Sequence, residues 1–265
     1  MRTQWIAFRM AALCAGSILL YAGLAHGAEI KVMNSGGFAA AYRELAPEFE
    51  RATKNTLATS WGASLGTAPD TIPSRLERGE PVDVLILAGS GLDDLIKKGK
   101  VIPGSRVDLA RSVIGMAVRT GSPKPDISSV DAFKRLLLGA KSIAVSTSAS
   151  GVYLTEELFP RLGIADQIMG KCKKVSSEPA GALVARGEVE IAFQQVSELL
   201  PVPGIDFVGP LPPEIQKVTL FSAAIAVGAK EMDGAKALIK FLTSPAAAPA
   251  IKKSGMEPVT SAEQK

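Results

Sequence analysis

The stretch Lys141-Ser142-Ile143-Ala144-Val145-Ser146-Thr147-Ser148-Ala149-Ser150-Gly151-Val152-Tyr153 decides the fold. Ile143 and Val145 alternate with smaller residues as in a strand, a hydroxyl-rich turn follows, and a helical pattern starts at once. Ser148 and Ser150 suit a helix N-cap, and a fresh helix end presents unpaired N–H groups together with the positive end of the helix dipole. Such an end receives an anion without a cationic side chain. Alone, Ser150 need do no more than cap its helix. Repetition of the device changes the reading. Residues 29–33 form a short strand, Asn34-Ser35-Gly36-Gly37 turns tightly, and Phe38, Tyr42, Leu45 and Phe49 mark a helical stripe. Residues 57–60 give another strand, followed by the loop Trp61-Gly62-Ala63-Ser64-Leu65-Gly66-Thr67 and a helix over 72–78. Small-residue loops at successive strand ends predict an α/β chain whose site lies where those strands stop.

The remainder continues the alternation. Gly79-Glu80-Pro81-Val82-Asp83 leads into Val84-Leu85-Ile86-Leu87-Ala88, an all-apolar strand of the kind buried on both faces of a parallel sheet. Helices are predicted over 92–98, 130–138, 152–162, 179–186, 233–243 and 246–253, and strands over 113–119, 173–175, 191–195 and 220–227. The strand 191–195 ends in Gln194 and Gln195, polar where burial is expected. If Gln195 faces a site, Gln194 faces the core, because neighbours on a strand point opposite ways. Pro201, Pro203, Pro210, Pro212 and Pro213 argue against regular structure between 201 and 213.

Composition narrows the chemistry. Arg2 and Arg9 precede an apolar run, Met10 to Leu24, that ends in Ala25-His26-Gly27-Ala28, which predicts an export signal over residues 1–28, cleaved after Gly27 or Ala28. Its removal takes the only histidine and Cys14, leaving Cys172 as the sole thiol. Intramolecular disulfides, histidine triads and histidine metal sites are thereby excluded from the mature chain. No metal or other cofactor is expected. Acidic pairs such as Asp93-Asp94 and Glu156-Glu157 are adjacent on helices and do not converge on one ion. The formal charge of +4 falls to about +2 without the signal, which gives no reason to expect nucleic acid as a partner.

The order of pieces resembles the periplasmic solute-binding proteins of ABC transporters, specifically the molybdate-binding family. The resemblance is carried by the Ser35-Gly36 turn, Leu45-Ala46-Pro47-Glu48-Phe49-Glu50, Gly62-Ala63-Ser64, and Arg78-Gly79-Glu80-Pro81-Val82-Asp83-Val84. It continues through Lys98-Gly99, Arg186-Gly187-Glu188-Val189-Glu190-Ile191-Ala192 and Phe241-Leu242-Thr243-Ser244-Pro245-Ala246. It implies a two-lobed periplasmic-binding-protein fold of the class II type. Each lobe would be a mainly parallel sheet flanked by helices, with the ligand cleft between lobes that close by a hinge. Lobe one would take residues 29–112 and 220–265, and lobe two 113–219.

The family further implies a monomeric periplasmic carrier that hands a small anion, an oxyanion like molybdate or a di- or tricarboxylate, to an ABC permease. Its site residues map to Ser35 and Gly36, Ser64, Ser148, Ala149 and Ser150 at the helix start, and Gln195. The molybdate binders commonly carry a tyrosine where this chain has Gln195, so a different ligand is implied as an alternative. Aconitate isomerases, which convert trans-aconitate to cis-aconitate, are similar to the same family, and a tricarboxylate would suit the same loops with Arg75 or Arg43 as a further partner. Without histidine, the base for such a proton shift would be a carboxylate, Tyr153, a lysine or Cys172.

Overall fold

A computed structural model of the chain describes residues 27–176 and 178–260. The expected export signal, with His26 and Cys14, lies outside the described residues up to position 26.

The first lobe opens with β1 (Glu29–Asn34), α1 (Gly36–Thr53), β2 (Thr56–Trp61), α2 (Ile72–Glu77), β3 (Val84–Ala88), α3 (Gly89–Lys97) and β4 (Val107–Ser112). The chain then crosses into β5 (Ile114–Arg119), α4 (Val130–Gly139), β6 (Ile143–Ser146) and α5 (Ala149–Val152). A wide π turn over Tyr153–Leu158 carries α5 into α6 (Phe159–Arg161). Pro160 has no N–H to offer the carbonyl one turn back, and the helix widens ahead of it. Next come α7 (Ala165–Ile168), β7 (Cys172–Val175), α8 (Ala180–Ala185), β8 (Ile191–Gln195), α9 (Val196–Leu199) and β9 (Ile205–Pro210). The return supplies β10 (Thr219–Ile225), α10 (Met232–Leu242), α11 (Ala248–Lys253) and β11 (Glu257–Pro258).

Two sheets result, ordered β11-β4-β10-β3-β1-β2 and β7-β6-β8-β5-β9. In each, the βα units give a parallel heart: β2-β1-β3 in the first and β7-β6-β8 in the second. Antiparallel strands flank both hearts, so the sheets are mixed. The antiparallel members include the strands on either side of the two crossings between the sheets, where the chain changes sheet without a crossover helix. The segment expected to be irregular contains β9. Its prolines are tolerated because β9 is an edge strand and Pro210 closes it, where no ladder N–H is owed. Also unforeseen is β4, whose Val-Asp-Leu-Ala-Arg-Ser mixes polar residues into the sheet.

The apolar strands are buried on both faces. Val84, Ile86 and Ala88 join a core with Phe38, Tyr42, Leu45 and Phe49 of α1 and Leu238 of α10, whereas Leu85 and Leu87 pack against Ile72, Leu92 and Leu95. In the second lobe Ile143 and Val145 meet Phe133 and Leu137, while Ala144 lies under Leu183 and Val184. Each such aliphatic side chain contributes about 1.5 to 3 kcal/mol through burial, and the period-2 alternation divides it between two helical layers.

At the crossings, Gln216 Oε1 accepts from Ile114 N–H at 2.9 Å and its Nε2 donates to Ile114 C=O at 2.9 Å. Val196 N–H donates to Val113 C=O at 2.9 Å. Both lobes thus converge on the start of β5, and α9 is seated beside it.

Candidate functional site

A cleft of about 510 Å³ lies between the lobes. The first lobe contributes the turn Ser35-Gly36-Gly37, the loop after β2 with Ser64, and Arg43 of α1; the second contributes residues 146–150, the end of β8, and α9. All the residues expected to hold a ligand, Ser35, Gly36, Ser64, Ser148, Ala149, Ser150 and Gln195, line this one cleft. They converge because the parallel strands β1 and β2 end on one side of the first sheet and β6 and β8 on one side of the second, so the loops beyond them face one another.

Their hydroxyls are differently placed. Ser35 is buried at the head of α1, its side chain does not cap the helix, and its Oγ has no hydrogen-bond partner. Ser64 Oγ accepts from Ala88 N–H at 3.0 Å, which fixes the loop against the end of β3 and leaves its hydroxyl proton available. In the opening stretch neither Ser148 nor Ser150 caps through its side chain. Ser146, one turn earlier, does that work: its Oγ accepts from Ser148 N–H and Gly151 N–H, both at 3.3 Å, and lies 3.1 Å from Ser150 Oγ. A β-carbon at Gly151 would stand 1.7 Å from Ser146 O, so only glycine lets the helix fold back so tightly on the strand. Ser148 and Ala149 keep partial exposure to the cleft.

The two glutamines do not alternate between cleft and core as strand geometry suggests. Gln195 Nε2 donates to Thr219 Oγ1 at 2.9 Å and its buried Oε1 has no partner. Gln194 also reaches the cleft: Oε1 accepts from Ala180 N–H at 2.7 Å and Nε2 donates to Glu198 Oε1 at 2.9 Å. The chain bends out of β8 into α9 directly after Gln195, which brings the side chain four positions after Gln194 back beside it.

Glu198 is the residue the sequence did not announce. It faces the cleft from α9, with Oε1 held by Gln194 and Oε2 without a hydrogen bond among the described residues. Protein surrounds it closely although its surface is not wholly covered. Burial, offset in part by the Gln194 hydrogen bond, pushes its carboxyl up to about 7. Gly36 faces the same oxygen, and a β-carbon there would lie 2.4 Å from Glu198 Oε1.

The other charged candidates separate clearly. Arg75 is engaged by Glu80 at 2.5 Å and by Trp61 C=O at 2.8 Å, outside the cleft lining. Arg43 does line the cleft, its guanidinium 4.6 Å from the centre of the Trp61 ring, with no carboxylate partner among the described residues. Glu178 is clamped by both Arg186 Nη atoms at 2.7 and 2.9 Å, which holds its carboxyl below the usual range. Asp70 is exposed at the rim. Tyr153 is buried away from the cleft, its OH donating to Ile215 C=O at 2.8 Å. Cys172 is likewise outside the lining, and burial pushes its thiol up. No lysine lines the cleft, and no cluster of three metal-ligating side chains occurs among the described residues.

The comparisons agree with this geometry. The aconitate isomerase of a Pseudomonas species is 47% identical over 255 residues, covering 95% of this chain and 97% of that one. The molybdate-binding protein ModA of Azotobacter vinelandii is 28% identical over 251 residues, covering 89% of this chain and 92% of its own. A solved periplasmic molybdate-binding protein from Azotobacter vinelandii superposes with a TM-score of 0.67 at 21% identity, over 86% of this chain and 98% of that one, which shows the shared two-lobed fold. The family profile of bacterial extracellular solute-binding proteins matches residues 30–257. Two α/β lobes, a cleft built from the loops between them and this span of matched sequence have one reading: the chain belongs to the bacterial extracellular solute-binding proteins.

Proposed function

We propose that the protein is an exported isomerase that interconverts trans- and cis-aconitate in the cleft, with Glu198 as the base that moves the proton. The observation that carries this reading is a carboxylate with its carboxyl raised to about 7, placed inside an anion-receiving cleft beside Gly36. A simple carrier of doubly charged oxyanions gains nothing from a carboxylate there. A proton-transfer enzyme working near neutrality needs one. Of the cleft carboxylates, Glu178 is tied up by Arg186 and Asp70 sits at the exposed rim, which leaves Glu198. The relative that is 47% identical over nearly its whole length bears the same activity in its name.

The chemistry needs no redox partner. Glu198 removes a proton from the methylene carbon of the substrate, the electron pair delocalises over the three-carbon allyl unit, and the proton returns to the former vinylic carbon. The double bond moves by one position, and the rotation at which the cleft holds the flanking carboxylate arms sets its new geometry. The arms would be held by the Ser35 hydroxyl, by backbone N–H groups around Ser148 and Ala149, and by the Gln195 carboxamide. Thr219 Oγ1 can donate as well as accept, so that carboxamide can turn its NH2 toward an anion and keep its bond. Arg43, free of a carboxylate and stacked on Trp61, supplies a cation at the mouth for a further arm.

The test is an incubation of the mature protein with trans-aconitate, with cis-aconitate followed by chromatography and the Glu198→Gln variant in parallel. Protein-dependent product that the variant does not form is the expected result. No product, with a rise in melting temperature on adding molybdate or sulfate, would replace this reading by that of a carrier for ABC-type uptake.

A further inference from the structure

We propose that Gln194 is a positioning residue that occupies Oε1 of Glu198 and thereby reserves Oε2 for the proton; this rests on the reading of Glu198 as the base. The orientation of the Gln194 carboxamide is dictated by its neighbours. Ala180 N–H can only donate, so the amide oxygen must face it, at 2.7 Å. The NH2 group is then obliged to face Glu198 Oε1, at 2.9 Å. A proton on Oε1 would weaken that oxygen as acceptor of the Gln194 N–H, so protonation there loses part of this bond. A proton on Oε2 meets no such conflict, because Oε2 makes no hydrogen bond among the described residues. Gln194 is itself buried, and its bond to Ala180 N–H is buried with it.

The Gln194 bond therefore favours Oε2 as the proton's seat. It is taken from the substrate carbon by Oε2, held there while the allyl unit carries the charge, and returned from Oε2 to the other end of the unit; Oε1 keeps its bond throughout. The charged groups on elements packed around α9 do not compete for this role. Arg43 on α1, Asp70 before α2 and Glu178 before α8 share the cleft, yet none hydrogen-bonds to Glu198, and Glu178 is held by Arg186.

The measurement is a 13C-carboxyl NMR titration of Glu198, assigned by its loss in Glu198→Gln, in the full mature protein and in Gln194→Met and Gln194→Glu. Methionine keeps the length and removes the donor, so the midpoint is expected to rise by about one pH unit, a tenfold change in proton affinity. Glutamate adds a like charge and is expected to raise it further. In activity assays with trans-aconitate, kcat of Gln194→Met falls by about tenfold and the acid limb of its pH profile moves with the NMR midpoint, while KM changes little. A folded Gln194→Met whose Glu198 midpoint is unchanged overturns the proposal, whatever the activity shows. A shifted midpoint in a protein that never isomerises aconitate upholds the Gln194 contact and rejects the isomerase reading instead.

Discussion

Gly36, the first residue of α1, faces Glu198 of α9 so closely that a β-carbon at position 36 would stand 2.4 Å from Oε1. Gly36→Ala therefore separates chemistry from stability. The clashing atom is the end of a flexible side chain, which can swing aside, and alanine favours a helix over glycine by about 0.5 to 1 kcal/mol. The melting temperature is expected to hold or rise slightly, while kcat for trans-aconitate falls at least about a hundredfold because the base is displaced. Unchanged turnover in Gly36→Ala would remove Glu198 from the mechanism.

Glu198 should control both the pH–rate profile and part of the pH–stability profile. As the proposed base it would act ionised, so kcat/KM is expected to rise with pH through about 7. For stability the sign is opposite. Its folded carboxyl titrates near 7 against an ordinary value of 4.5, so between those values the folded state holds a proton the unfolded state has lost, and stability falls as pH rises. Partial exposure discounts the size to roughly 1 to 3 kcal/mol. Glu198→Gln should thus be more stable than the parent at pH 8 and lose that advantage toward pH 5, as read by urea denaturation; equal stability at both pH values would contradict the burial argument.

Asp83 explains a motif the family resemblance singled out, and its role is architectural. Its carboxylate is buried and accepts from the backbone N–H groups of Lys31, Lys230 and Glu231 at 2.8, 2.7 and 3.1 Å, tying the start of β1 to the segment before α10. Asp83→Ala leaves these donors without a partner and should cost about 3 kcal/mol in denaturant melts. A cost below about 1 kcal/mol would mean that water replaces the carboxylate.

Tyr153 and Cys172 were open as bases on sequence grounds, and the structure sets both outside the cleft. Tyr153→Phe loses the hydrogen bond to Ile215 C=O and should cost about 1 kcal/mol of stability, with turnover per folded molecule within about twofold of the parent. Cys172→Ser should behave likewise in turnover. A tenfold fall in kcat for either, with the fold intact, would move the proton chemistry from Glu198 to that residue.

Much of the fold was legible because it rests on local periodicity. The all-apolar Val84 to Ala88 needs two buried faces, and the helical stripe Phe38, Tyr42, Leu45, Phe49 needs one, so a helix-covered sheet follows from those residues alone. The edge strand β9 was hidden because edge position, which excuses its prolines, is a property of the assembled sheet. The cap of the helix after β6 was legible in kind and displaced in detail: the hydroxyl that receives the N–H groups belongs to Ser146, since the tight return at Gly151 brings the strand end over the helix start.

By itself, then, the sequence placed small and hydroxyl residues after β1, β2 and β6, whose loops line the cleft, while the similar glycine-serine turn after β3 lies outside it. Only the tertiary structure decided what chemistry stands among them. Glu198 has no local signature beyond its spacing from Gln194. It becomes a buried carboxylate with raised proton affinity because the crossing segments swing α9 of one lobe against α1 of the other, where Gly36 leaves room for a carboxylate and the surrounding protein withholds the water that would keep it an ordinary one.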